Sequence, residues 1–112
     1  MMYTQTPSAS QPKEYYLFEN YISRQRMLTY WYQIKEVLSL RPNHVLEIGV
    51  GAGLVAAYLR SVGINVKTLD INSDLRPDYC GSILQLNEIV DKAKFDLILC
   101  ARVLHHIPYQ EL

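Results

Sequence analysis

Between residues 23 and 40, apolar side chains recur at helical steps. Met27, Tyr30, Trp31, Ile34, Val37 and Leu38 lie three and four residues apart, and Arg24, Arg26, Gln33, Lys35 and Glu36 fall mostly on the other side. This spacing predicts one amphipathic helix over 23–40, with a shorter one ahead of it near 14–20. Arg41-Pro42-Asn43 ends the block, because the residue before a proline is pushed out of the helical region. At His44 the period changes. His44-Val45-Leu46-Glu47-Ile48 is a short, mostly apolar run that stops at glycine, the pattern of a buried parallel strand. A glycine-dense turn follows at 49–53. Residues 54–62 then predict a helix with Leu54, Tyr58, Leu59 and Val62 as its inner face, and Gly63 stands where a C-terminal cap belongs. Further strands are predicted at 64–69, ending on Asp70, at 79–84 and at 95–100, with a helix over 86–93 before the last. Pro108 suits the first turn of one more helix.

Strand and helix alternate from residue 44 onward, which implies right-handed crossovers and a parallel sheet. The expected fold class is α/β: a Rossmann-like, doubly wound parallel sheet of about four strands, incomplete, preceded by N-terminal helices. Three parts are expected. Residues 1–12, rich in Ser, Thr, Gln and Pro, form a disordered tail. Residues 13–42 form a helical cover, and residues 43–112 form the sheet domain.

Composition removes several function classes. A chain of 112 residues suits one small domain. Eleven basic and eleven acidic residues give a net charge of zero, so the overall charge makes no case for nucleic acid or an anionic membrane. Cys80 and Cys100 have no partners at metal-ligand spacing, so neither a metal site nor a disulfide framework is expected, and the chain reads as cytoplasmic. No apolar run is long enough to cross a bilayer, and the N-terminus lacks the pattern of a signal peptide. Six of the nine tyrosines fall in the first 32 residues, which predicts a packed aromatic surface there.

The candidate chemistry is concentrated in the glycine turn. Parallel sheets bind ligands beyond the carboxyl ends of their strands, where strand order reverses. Glycines at 49, 51 and 53 would permit unusual backbone angles and let a ligand come close. In a dinucleotide fingerprint the third glycine would stand at position 54, which is Leu54 here. Glu47, two residues before the turn, would repel a pyrophosphate and suit a positively charged ligand. Asp70, at the end of the second strand, can accept hydrogen bonds from both hydroxyls of a ribose, in a nicotinamide site as well as in others.

VLEIGVGAG (45–53), TLDI (68–71) and FDLILCARVLHHIP (95–108) resemble the first, second and fourth motifs of class I S-adenosylmethionine-dependent methyltransferases. The resemblance covers about residues 41–108 and implies S-adenosylmethionine as cofactor. It assigns the methionine part to Glu47, Gly49, Gly51 and Gly53, the ribose to Asp70 and the adenine face to Ile71. Cys100, Ala101 and Arg102 would line the methionine and methyl side. Where many members place an adenine-binding aspartate, this chain offers Ser82. Helices ahead of the first strand often cover the cofactor in this family, so Tyr15, Tyr16 and Tyr21 could sit over the site. Members have seven strands, so the chain is expected to be a fragment.

Plainer readings stand beside these. Asp70 could cap a turn, Glu47 could be a solvated strand-end charge, and Ser82 could be a turn residue. His105 and His106 are candidate general bases, or merely flank a helix start. No Asn-Pro-Pro-Tyr-like motif follows the fourth strand, so a small-molecule or lipid-like acceptor is the default, with no partner nucleic acid or membrane. Two rival functions remain: an NAD(P)-binding oxidoreductase domain, and a non-catalytic methyltransferase-like module that self-associates through an exposed fourth strand.

Overall fold

A computed structural model describes residues 11–100. Its first elements are a 3-10 turn at Lys13–Tyr16 and helix α1 (Phe18–Tyr21). The helix expected near 14–20 is thus two pieces, parted by the extended backbone of Leu17. Helix α2 (Arg24–Leu40) begins where the Ser23 side chain accepts a hydrogen bond from the Arg26 N–H at 3.1 Å, satisfying one of the free amides of the first turn. It ends at Arg41, which turns into the left-handed region at φ 52.

The sheet comprises β1 (His44–Ile48), β2 (Asn65–Asp70), β3 (Tyr79–Cys80) and β4 (Leu97–Leu99), with helix α3 (Leu54–Ser61) between β1 and β2 and helix α4 (Leu86–Ile89) before β4. The order is β3-β2-β1-β4 and every pair is parallel, with Val45 opposite both Val66 and Leu97. The chain builds outward from β1 to β3, then returns to the other side of β1 as β4. Strand order therefore reverses at β1, where a doubly wound sheet opens its ligand crevice. This is the incomplete α/β fold expected.

Strand alternation divides the core between the two faces of the sheet. Val45 and Val66 pack with Val37 of α2 and with Val55, Ala56 and Leu59 of α3. Leu46, Ile48 and Leu69 pack on the opposite face with Val90, supported by Leu86 and Ile89 of α4 and by Phe95. Asp96 fixes the start of β4: its carboxylate accepts the N–H groups of Asn43 (2.9 Å) and His44 (3.0 Å).

Several expected details differ. The inner face of α3 is Val55, Ala56 and Leu59, and Leu54, Tyr58 and Val62 are exposed. On α2, Val37 is buried with Tyr30 and Ile34 packed near it, and Met27, Trp31 and Leu38 face outward. β3 is two residues long, because Gly81 turns the chain and Ser82 caps a 3-10 turn at Ile83–Gln85. The helix expected to reach residue 93 stops at Ile89. Val90 is extended there, and a second 3-10 turn follows at Lys92–Lys94.

Candidate cofactor site

The turn after β1 owes its shape to glycine. Gly51 (φ 56) and Gly53 (φ 78) hold left-handed angles that strain any residue with a Cβ. The turn is tied down from two sides. The Gly49 N–H donates to the Leu69 carbonyl at 2.8 Å, and the Val50 N–H donates to Asp70 Oδ2 at 2.7 Å. Asp70 Oδ1 accepts the Asn72 N–H at 2.9 Å. Asp70 thus clamps the glycine turn to the end of β2. Each of its oxygens spends one lone pair on backbone and keeps another. The turn-residue reading of Asp70 therefore has a structural counterpart, and its capacity to accept further hydrogen bonds remains.

Glu47 is placed differently. It belongs to the β1 face covered by α2 and α3, with Thr68 opposite it on β2. Only 6% of it is exposed, and its Oε1 is the one buried side-chain oxygen or nitrogen without a hydrogen-bond partner among the described residues. Burial pushes its carboxyl up from 4.5 to about 8; Arg60 opposes the rise and Asp70 adds to it. A solvated strand-end charge is excluded. A buried acceptor without a partner is costly, and such groups in native proteins commonly await a ligand or water.

The N-terminal segment roofs the turn. A Cβ at Gly51 would lie 3.5 Å from the Tyr21 hydroxyl and 3.9 Å from that of Tyr30. Burial is the main reason the Tyr30 proton is held well above the usual phenol range, and the neighbouring Tyr21 adds to the rise. Tyr16 is pushed up to about 12, first by burial and then by the neighbouring charge of Asp70. The rings of Tyr15, Tyr16 and Tyr21 meet edge to face, with centroids 4.8 to 5.4 Å apart. Arg26 locks this cluster: its Nε donates to the Tyr21 carbonyl at 2.8 Å, and its guanidinium lies 3.7 Å above the Tyr21 ring. The Asn72 side chain donates to the Gln11 carbonyl at 2.7 Å and fastens the start of the segment beside Asp70.

The other expected site residues are more dispersed. Ile71 follows Asp70 and is partly buried; its carbonyl accepts from the Cys80 thiol at 3.7 Å. Ser82 Oγ accepts the Leu84 N–H at 3.1 Å, the plainer of its two expected roles. Cys100 is half-buried against the Leu46 and Ile48 side of the core, and burial raises its thiol. Ala101, Arg102, His105 and His106 lie outside the described residues. Arg26, which the helical spacing puts on the solvent side of α2, belongs to the roof, and Tyr30 packs against the core as expected while its hydroxyl reaches the turn. The crowding of tyrosines was the available signal for the roof.

S-adenosylmethionine carries an ammonium, a sulfonium and a ribose. A buried carboxylate without a partner suits the positive charge, and Asp70 has lone pairs for hydroxyls. Nothing lies within 4 Å of a Cβ built on Gly53, so that side of the turn is open. The residues present fit the group.

The chain is 28% identical over 76 residues to a ubiquinone biosynthesis O-methyltransferase of Rickettsia typhi (strain ATCC VR-144 / Wilmington). The match takes in 56% of this chain and 30% of that protein, so the chain spans well under half of the curated relative it matches. No solved structure matches. A family model described as a methyltransferase domain matches residues 14–111, from the tyrosine roof through the last strand, and the chain belongs to that methyltransferase family.

Proposed function

We propose that this chain carries the cofactor-binding part of an S-adenosylmethionine-dependent methyltransferase acting on a small-molecule acceptor. The observation that carries the proposal is Glu47: a buried, unpartnered carboxylate directly ahead of a glycine turn. It favours a cationic ligand and disfavours the pyrophosphate of NAD, and Leu54 removes the third glycine a dinucleotide needs. Bound there, the cofactor supplies a methyl group already activated as a sulfonium, so the protein's task is chiefly orientation.

In this reading Glu47 balances the cofactor's positive charge and Asp70 accepts from its ribose while holding the turn. Ile71 and Ser82 border the adenine, and Cys100 and Ala101 border the methionine side. The relative's O-methyl chemistry makes a hydroxyl the first acceptor to try, and His105 or His106 would take its proton. The compartment proposed is the cytoplasm. Self-association is a second reading, favoured by β4 lying at an edge of the described sheet with Ile98 exposed.

Calorimetric titration with S-adenosylhomocysteine and with NAD separates the readings. Binding of the first and not the second is expected. Binding of NAD alone would overturn the proposal. Concentration-dependent dimerisation without binding of either would favour the non-catalytic module.

A further inference from the structure

The outer face of α2 is apolar where a solvent-facing helix is ordinarily polar. Leu28, Trp31 and Tyr32 are 50%, 52% and 62% exposed, although the buried side of the same helix already supplies Val37, Ile34 and Tyr30 to the core. At 100° per residue these three side chains share one stripe with Arg24 and Lys35. Both cations are exposed, and the Lys35 ammonium lies 5.0 Å over the Trp31 ring. The helix has one acid, Glu36, which lies about 100° round from Lys35 and outside the stripe. The net charge of zero thus conceals a local arrangement: an aromatic and aliphatic strip flanked by two cations with no acid between them.

We propose that this face of α2 docks on an anionic phospholipid surface. Indole and phenol rings partition to the boundary between headgroups and acyl chains, aliphatic side chains enter its apolar edge, and flanking cations meet the phosphates. The charge pattern selects this occupant. A second copy of the chain would set Arg24 and Lys35 against the same cations. A zwitterionic surface would satisfy the rings and leave the cations without counter-charge. The inference rests on the outer face of α2 alone and does not depend on the cofactor assignment.

Trp31 is the only tryptophan in the chain, so its fluorescence reports on this face alone. The full chain is titrated with vesicles of phosphatidylcholine containing phosphatidylglycerol and with vesicles of phosphatidylcholine alone. Expected are a blue shift and quenching by brominated acyl chains with the anionic vesicles, both reversed by salt. In co-sedimentation, the double substitution Arg24→Glu with Lys35→Glu is expected to weaken association roughly tenfold or more. The thermal midpoint of that variant, taken without lipid, should match the parent and so exclude misfolding. Leu28→Ser, which keeps both cations, gives a second measure of the apolar contribution and is expected to reduce quenching depth. No response to anionic vesicles would overturn the proposal. So would an equal response to both vesicle types, or a blue shift that grows with protein concentration in the absence of lipid, which would assign the face to a second copy.

Discussion

Glu47→Gln keeps the shape of the side chain and removes its ability to ionise. Burial has lifted the carboxyl from 4.5 to about 8. The folded protein therefore binds this proton more tightly than the unfolded chain does. The charge costs nothing below pH 4.5, where both states are protonated. Its cost grows as pH rises between 4.5 and 8, because the unfolded chain ionises first. Above 8 the cost is constant, at about 5 kcal/mol from roughly 1.4 kcal/mol per tenfold change in proton affinity. Glutamine carries none of this. The stability of Glu47→Gln relative to the parent should then rise with pH across that window and level off beyond it. Urea unfolding at a series of pH values measures the difference. A difference that stays flat from pH 4.5 to 8 would refute the reasoning and place a countercharge or water on Oε1. A cationic ligand would reverse the balance by stabilising the carboxylate, so binding near pH 7 should release a proton. Titrations in buffers of different ionisation enthalpy would detect it.

Three further outcomes follow from the packing. Gly51→Ala and Gly53→Ala each force a Cβ into the left-handed region, and each should lower the Tm by roughly 5 °C in a thermal scan; the open space at Gly53 makes that loss one of backbone strain alone. Leu59→Ala removes a fully buried side chain and should cost about 3–4 kcal/mol by denaturant unfolding, whereas exposed Tyr58→Ala should cost under about 1 kcal/mol. Arg26→Ala loses both the bond to the Tyr21 carbonyl and the stack on its ring, about 1–2 kcal/mol, and should speed chymotryptic cleavage at the tyrosines of the roof.

The legible part of the fold is the part with one clear period. β1 ends at glycine where expected, and α2 begins within one residue of its expected start, because a run of apolar strand residues and a serine cap act locally. The face of α3 was not legible. Leu54-Val55-Ala56-Ala57-Tyr58-Leu59 is apolar all round, so the helical period offers two inner faces. The sheet selects the one with Ala56, which allows close approach, and leaves the bulky Tyr58 outside. β3 looked longer than it is, since Ile83 and Leu84 continue the apolar pattern. The break comes at Gly81, where the chain bends, and at Ser82, whose side chain caps the 3-10 turn that follows.

The glycine turn and the two acids were legible from spacing, but the structural settings of the acids were not. The chain pattern assigns Glu47 to a cationic group and Asp70 to ribose hydroxyls, but it carries nothing of how each acid is held. Only the fold commits Asp70 to the backbone of the turn and leaves Glu47 buried without a partner. The roof was legible only as a density of tyrosines. Which of them reach the turn depends on the pairing of Arg26 with Tyr21 across the α1–α2 corner.

The central claim is that the cofactor lies on the turn between Glu47 and Gly53. Amide chemical-shift mapping of the uniformly ¹⁵N-labelled chain with S-adenosylhomocysteine tests it most directly. The account expects the largest shifts at Gly49, Gly51, Gly53 and Asn72, and their loss in Glu47→Gln at the same ligand concentration. Saturable binding whose shifts cluster away from this turn, or no shifts at all, would contradict it.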